Sequence, residues 1–390
     1  LQSMGVAHLN CDRSCRLAYD VADLFFVRDD VLMSTACPPV FPESLRSTAP
    51  RILIVRMTAI GDVIHGIPVA CALREALPNA FLGWITEGTA GDLLEGHPAL
   101  DILVRVPRRF WKSPREILSM RRRLRELKFD VAIDLQCLSK SAITAWLSGA
   151  RRRIGKSGVQ GRELSRVFNN ELVEAGGAHV IEHYLSMLRP LGIMSPQVRF
   201  DLPERNSDTE MIDKFLRVSG LAGQRFAILN PGAGWPSKVW PADRYGELAR
   251  HLYHKHGLRS IAAWGLPSEL PSANLIVTAS DDHAVLAPPT SMTELAALCR
   301  RAALFVGSDT GPMHLAVAVG TPTISMHGPS RADWCGAYGP QNIRMQIRYE
   351  AGSSLERRRA DDSAMRAITI NMVAHACDQL LNLHTARICG

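Results

Sequence analysis

Long apolar runs are missing from this 390-residue sequence. The best one, Leu315 to Met326, is broken by Gly320, Thr321 and Pro322 and falls short of the about 18 residues that a membrane-spanning helix needs, so no span is expected. The first residues show no cationic start followed by an apolar segment, so no secretory signal is expected either. Cys-x-x-Cys pairs are absent, and nine cysteines, an odd number, lie scattered from Cys11 to Cys389. Free thiols in a reducing compartment account for that pattern better than a disulfide framework. His8, Cys11 and Cys15 make a conceivable zinc grouping, but incidental cysteines in an unstructured leader are the preferred reading. The sequence has no Gly-x-Gly-x-x-Gly fingerprint, which weakens a nicotinamide oxidoreductase, and no Gly-x-Ser-x-Gly, which removes a nucleophile elbow. It has no Asp-x-Asp either, and so lacks the usual metal anchor of many sugar-nucleotide transferases.

What is present is a globular composition, 46% hydrophobic and 21% charged with 29 Gly and 23 Pro, which excludes a disordered chain, a collagen-like fibre and a coiled coil. The length suggests about two domains. Charge is placed unevenly. Residues 51–200 hold 22 Lys and Arg against 14 Asp and Glu, whereas residues 201–390 are nearly balanced at 19 against 18. An anionic partner is therefore expected for the first half. Between Arg105 and Lys128 ten basic residues face two acidic ones, and Arg151, Arg152, Arg153, Lys156, Arg162 and Arg166 follow with only Glu163 opposing. This is either a solvated face or a surface for an anionic membrane. Aromatic residues are not interleaved as in a nucleic-acid reader, so no nucleic acid is expected.

Residues 1–49 have poor periodicity and end among Pro38, Pro39, Pro42 and Pro50, which reads as an extension outside the fold. From Arg51 short apolar strands alternate with helical patterns. They run through Ile52–Val55, a helix carrying Val69, Leu73 and Leu77, strand Phe81–Ile85, helix Thr89–Leu94 and strand Ile102–Val106. A basic helix Ser113–Leu127, strand Val131–Leu135 and helix Lys140–Leu147 complete the first series. The grammar restarts near residue 225 with strand Phe226–Leu229, helix Ala242–Lys255, strand Ser260–Trp264 and helix Met292–Arg301. Strand Leu304–Val306, a helix near Pro312 and strand Pro322–Met326 end it. Two α/β domains with parallel sheets are expected, residues 50–204 and 205–390, their loops gathered around one cleft.

Four motifs fall at strand ends. In Arg56-Met57-Thr58-Ala59-Ile60-Gly61-Asp62, Asp62 is either a helix cap or, if the main helix begins at Pro68, a loop carboxylate free to act as a base. In Asn230 to Pro241, Gly232 and Gly234 expose backbone N–H groups to an anion and Lys238 adds a point charge, although no Gly-Lys-Ser/Thr closes this loop and a solvated lysine is the plainer alternative. In Gly307-Ser308-Asp309-Thr310-Gly311-Pro312-Met313-His314, a helix starting at Pro312 would aim the N–H groups of Thr310, Gly311 and Met313 at a phosphate. Asp309 would cap that helix or take sugar hydroxyls, and packing is expected of His314. In Trp264-Gly265-Leu266-Pro267-Ser268-Glu269, Glu269 is a ribose ligand or simply a loop residue. His251, His254 and His256 cluster without an evident carboxylate partner, which favours an exposed helix end over a metal site.

In order along the chain, these motifs resemble the ADP-heptose:lipopolysaccharide heptosyltransferases, glycosyltransferases of family 9 with GT-B architecture. The resemblance covers about residues 51–385. It includes Ile133-Asp134-Leu135-Gln136 with Lys140-Ser141, and Arg153-Ile154-Gly155. Arg162-Glu163-Leu164, Phe168-Asn169 and Glu182-His183-Tyr184 look more like the enzyme adding the first heptose than the second. The resemblance implies two Rossmann-like domains facing a central cleft, and metal-independent, inverting transfer of heptose from ADP-heptose to the Kdo of Kdo-lipid A. Asp62 would be the general base and Lys238 the cation at the diphosphate. Gly232, Gly234, Ser237, Glu269, Asp309, Thr310, Gly311 and His314 would hold the donor, and Thr58, Gly61, Gln136, Lys140 and Arg162 the acceptor. No metal or other cofactor is expected, and the enzyme would work in the cytoplasm at the anionic inner face of the membrane. The alternatives are a nucleotide-sugar epimerase or hydrolase of the same layout, or a family 9 transferase using another ADP-sugar.

Overall fold

The alternation of apolar runs and helical patterns resolves into two six-stranded, wholly parallel sheets in a computed structural model, which describes residues 49–158 and 164–388. His8, Cys11, Cys15 and Arg162 lie outside the described residues. The first sheet is built from β1 (Arg51–Val55), β2 (Phe81–Glu87), β3 (Ile102–Val106), β4 (Val131–Asp134), β5 (Arg152–Lys156) and β6 (Glu171–Val173), in the order β3-β2-β1-β4-β5-β6. The second contains β7 (Phe226–Asn230), β8 (Arg259–Ala262), β9 (Ala284–Leu286), β10 (Leu304–Ser308), β11 (Thr323–His327) and β12 (Ile343–Gln346), in the order β12-β11-β10-β7-β8-β9. Central strands are apolar because helices cover both their faces, and Ile52 to Val55 and Ala227 to Leu229 have no exposed surface. In each sheet the chain starts in the middle, builds one edge, and returns to build the other. The order therefore reverses between β1 and β4, and again between β7 and β10. Such a reversal opens a crevice beyond the carboxyl ends of the strands, where ligands of open α/β sheets bind.

The helices used below are α1 (Ile60–Ala76), α2 (Pro114–Glu126), α3 (Ser139–Leu147), α4 (Val180–Ser186), α5 (Asn206–Val218), α6 (Ala242–His256), α7 (Leu270–Thr278), α8 (Met292–Arg301), α9 (Gly311–Ala318) and α10 (Ile370–Ile388). Two expectations need correction, and some elements, β5 among them, have no counterpart in the sequence pattern. The first helix begins at Ile60 and not at Pro68, which stands inside it, so Asp62 is in its first turn and not in a loop. A proline inside a helix is costly, but α1 is buried continuously from Val63 to Leu73, and that packing outweighs the missing N–H. The segment expected as helix Thr89–Leu94 is a tighter 3-10 helix, Gly88–Leu94. Finally, β5 gave no apolar signal because Arg152, Arg153 and Lys156 occupy three of its five positions, and only Ile154 is a large apolar residue.

The two domains pack directly through α1 and α9. A Cβ at Gly61 would lie 2.6 Å from Cδ2 of His314, and one at Gly311 would lie 3.3 Å from Cγ2 of Ile60. Glycine at position 61 is thus what allows the backbone of α1 to rest on a ring from the other domain. Ile64 and Leu93 of the first domain join an apolar cluster with Met313 and Leu315 of the second. Trp334 and Tyr338 pack the other way, onto the core of the first domain.

Candidate active site

At the first crevice, Asp62 stands half-exposed at the start of α1. Its Oδ2 accepts the Ala59 N–H at 3.1 Å and pairs with Nη2 of Arg56 at 2.6 Å. Asp62 is thus not the N-cap, which is Ala59, but stands at the third helical position and reaches back to the cap with one carboxylate oxygen; Oδ1 has no partner among the described residues. Gln136, after β4, accepts the Met57 N–H with Oε1 at 3.0 Å and so ties the two loops of the crevice together. Asp134 is fully buried, and its carboxylate gathers the N–H groups of Gln136 and Cys137 and the amide of Asn169. Burial raises its pKa, opposed by those hydrogen bonds. Lys140 pairs with the buried Glu87 at 2.8 Å, so its ammonium is anchored to the fold. Lys156, which entered the sequence reading only as one charge of a basic run, lies buried with its Nζ 4.6 Å above the Tyr184 ring. Arg56 lies 5.5 Å over the same ring. Burial pulls the Lys156 ammonium down to about 8, with Arg56 adding repulsion. Two buried cations thus stand at Asp62, Arg56 in contact with it and Lys156 within electrostatic reach, an arrangement suited to an anionic ligand. Thr58 and Gly61 are partly exposed beside it.

At the second crevice, Lys238 ends a short 3-10 turn, Pro236–Lys238, after the glycine loop. Its Nζ donates to Oδ2 of Asp309 at 2.6 Å and to the Asp309 carbonyl at 3.3 Å, and it sits 4.5 Å over the Trp235 ring. The solvated-lysine alternative does not fit these contacts. Asp309 caps nothing; Thr310 holds the N-cap of α9, and Oδ1 of Asp309 accepts from Nε2 of His314 at 3.1 Å. Burial opposes ionisation of Asp309, but the hydrogen bond from His314 and the charge of Lys238 prevail and hold its pKa well below the usual carboxylate range. Glu269 caps α7 and gathers the N–H groups of Gly265 and Leu266. Its other oxygen lies where a Cβ at Gly232 would be, which explains that glycine. Gly234 is open on its outer side. Ser237 departs from expectation, since its fully buried hydroxyl donates to the Arg357 carbonyl at 2.8 Å and faces the fold, not the cleft. The α9 amino end, with Thr310 and Gly311 partly exposed, completes the crevice.

The sequence profile of glycosyltransferase family 9 (heptosyltransferase) matches residues 117–364. The chain belongs to glycosyltransferase family 9. Lipopolysaccharide heptosyltransferase 1 of Pseudomonas aeruginosa is 28% identical over 76% of this chain and 83% of that protein. Its namesake from Salmonella typhimurium is 27% identical over 75% and 93%. The fold matches that of Escherichia coli heptosyltransferase WaaC with ADP-2-deoxy-2-fluoro heptose, with a TM-score of 0.67 at 23% identity, covering 84% of this chain and 99% of that one. The two six-stranded parallel domains are therefore the GT-B arrangement, and this family 9 chain is a glycosyltransferase.

Among the described residues, two groupings of this family 9 enzyme have the donor types of a metal site. Asp309, His327 and Cys335 converge, but both oxygens of Asp309 already serve His314 and Lys238, and that ammonium would repel a cation. The other supplies the carboxylate missing from the histidine cluster of α6. Oδ1 of Asp378, on α10, accepts from His251 at 2.9 Å and His256 at 2.7 Å, while Oδ2 accepts from Lys255 at 2.6 Å. Sequence spacing gave no hint of it, because 122 residues separate His256 from Asp378. Burial opposes ionisation of Asp378, but the three donors prevail and bring it down to about 2. Its folded pKa being lowered, Asp378 stabilises the fold above the ordinary carboxylate range and ceases to as pH falls toward about 2. Asp378→Asn is accordingly expected to cost about 1–2 kcal/mol at pH 7, with the gap to wild type closing between about pH 4 and pH 2. Urea denaturation across that range checks it, and a gap independent of pH would rule out the ionic role.

Proposed function

We propose that this enzyme transfers heptose from ADP-heptose to the Kdo of the lipopolysaccharide inner core, with inversion at the anomeric carbon and without a metal ion. The names of its curated relatives, lipopolysaccharide heptosyltransferase 1, support the substrate class and the first heptose as the one added. The observation that carries the chemistry is the pairing of two unlike crevices. One holds a carboxylate with a free oxygen beside buried cations, and the other a buried lysine–aspartate pair beside a helix amino end. They adjoin through the contact of Gly61 with His314, whose ring is bonded to Asp309.

In the reaction the acceptor hydroxyl oxygen attacks the anomeric carbon from the face opposite the diphosphate. Its proton passes to Oδ1 of Asp62, while Arg56 and the Ala59 N–H hold Oδ2. The bond from the anomeric carbon to the β-phosphate oxygen breaks, and its electron pair leaves with ADP. Lys238 and the N–H groups at the start of α9 meet that growing charge. Arg56 and Lys156 receive the acid group of the acceptor, and Asp309 and Glu269 take the heptose and ribose hydroxyls. The deciding experiment offers ADP-, UDP- and GDP-sugars with and without Kdo-lipid A and measures nucleotide release. ADP should appear from ADP-heptose only when acceptor is present, unchanged by EDTA, with the product anomer inverted. Release without acceptor would favour the hydrolase or epimerase alternative, and a strict metal requirement would end the metal-free mechanism.

The acceptor is a lipid, and no helix among the described residues is long and apolar enough to cross a membrane. Arg121, Arg122 and Arg123 are exposed on α2, and Trp111, Leu118, Trp146 and Val167 of the same domain are exposed apolar side chains. A basic residue near an anionic bilayer contributes about 1 kcal/mol within a Debye length of about 8–10 Å. Charge reversal of Arg121, Arg122 and Arg123 to Glu is expected to abolish co-sedimentation with anionic vesicles at low salt, where wild type binds. Equal wild-type binding to neutral vesicles would leave these arginines as a solvated face.

A further inference from the structure

Lys238, Asp309 and His314 do not end the hydrogen-bonded chain at the second crevice. Nδ1 of His314 lies 3.1 Å from Nε2 of His65, on α1 of the other domain, with the ring centroids 4.2 Å apart. All three residues after Lys238 are buried; His65 is 4%, His314 6% and Asp309 8% exposed. The proton positions follow from chemistry. Asp309 is an ionised acceptor, so Nε2 of His314 carries a hydrogen toward it, and in the neutral ring that leaves Nδ1 as a bare lone pair. Nε2 of His65 must then donate, which leaves Nδ1 of His65 as an acceptor. That atom is buried and has no partner among the described residues. A buried, unpartnered ring nitrogen is costly, and nothing in the packing of α1 requires a histidine there. Leucine would fill the same space but offer nothing to the His314 and His179 rings that face the position.

We propose that His65 is a positioning residue for the donor side of the site: from the acceptor domain it fixes the tautomer and orientation of His314, and through it the carboxylate that faces the heptose. This rests on the reading of Asp309 as the sugar-holding carboxylate. The link is made only while the two domains are in contact, so it makes the geometry of the donor carboxylate conditional on that contact. His179 makes a parallel tie, its Nε2 lying 2.9 Å from the Gly336 carbonyl of the second domain. The groups facing His65 are His314 and Asp309 from the second domain and His179 and Arg56 from the first. Burial, reinforced by His314, keeps the His65 imidazole neutral well below its ordinary range. Its folded pKa being lowered, protonation opposes the assembled state, and the link weakens only as pH falls below about 6.5, the ordinary histidine value.

The test compares His65→Leu, which fills the space without a donor, with His65→Gln, whose amide nitrogen reaches as far as Nε2 and does not titrate. His65→Leu is expected to lower turnover on ADP-heptose and Kdo-lipid A about tenfold or more while leaving ADP affinity within about twofold. His65→Gln should recover most of that loss at pH 7.5 and flatten the acid limb of the rate profile. Nitrogen-15 NMR of histidine-labelled wild type should show the His65 ring neutral and protonated at Nε2 well below the ordinary histidine range, assigned by its absence in His65→Gln. Wild-type turnover by His65→Leu, no recovery by His65→Gln, or an Nδ1–H tautomer would each overturn the proposal. The NMR result stands apart from activity. Wild type that releases no ADP from ADP-heptose would count against the proposed function, while the tautomer would still report on the link.

Discussion

Asparagine in place of Asp62 is expected to lower turnover by about 100-fold or more, the range of a lost general base. The substitution is informative because the two roles of this carboxylate separate. Asparagine keeps an oxygen for the Ala59 N–H, which Asp62 holds at 3.1 Å, and so keeps the helix start. It cannot take a proton from an attacking hydroxyl. ADP affinity should thus stay near wild type and folding stability fall only by the lost Arg56 charge pair while transfer collapses, measured as single-turnover rate alongside thermal denaturation and titration with ADP. A variant that melts early yet turns over normally per folded molecule would show Asp62 to be a cap and nothing more. Loss of the Arg56 partner, 2.6 Å away, adds a cost of its own, and an Arg56 variant would separate the two.

Alanine in place of Lys238 is expected to weaken ADP binding about 10- to 150-fold, from the about 1.5–3 kcal/mol of a charge-assisted hydrogen bond, and to slow transfer at least as much. The ground-state diphosphate and the more negative leaving group would both lose the cation. The substitution also strips Asp309 of the lysine donor on Oδ2, leaving a buried carboxylate without its cationic partner. A fall in stability is therefore expected too, and titration with ADP, which has no heptose for Asp309 to hold, isolates the part due to Lys238. Unchanged ADP affinity would remove Lys238 from the diphosphate site.

Much of the fold was legible because buried parallel strands are short apolar runs bounded by turns. Ile102–Val106 and Met292–Arg301 were placed to the residue, and most other boundaries to within one or two. Two of the failures share a cause, while the strands Glu171–Val173, Ala284–Leu286 and Ile343–Gln346 and the helices Asn206–Val218, Leu270–Thr278 and Ile370–Ile388 were not expected at all. β5 is a strand by its neighbours, pairing β4 and β6, although Arg152, Arg153 and Lys156 give it no apolar pattern. Pro68 argued against a helix that burial of α1 on all sides supports. A start at Pro68 would have left in a loop both Asp62 and His65, which follows it by three residues on the same face of the helix.

The sequence by itself determined the two α/β domains, the order of the motifs and the chemistry each could offer, since strand periodicity, glycine loops and helix-start signals are local properties. Tertiary structure alone decided which groups meet. Sheet order brought the loops after β1 and β4, and those after β7 and β10, to the two crevices. Packing set Lys238 on Asp309, 71 residues apart, and His65 on His314, 249 residues apart. It also turned Ser237 inward and gave His251 and His256 their carboxylate. Hydrogen bonds and ion pairs act over about 3 Å, so a partner distant along the chain leaves no mark on local pattern until packing brings it within reach.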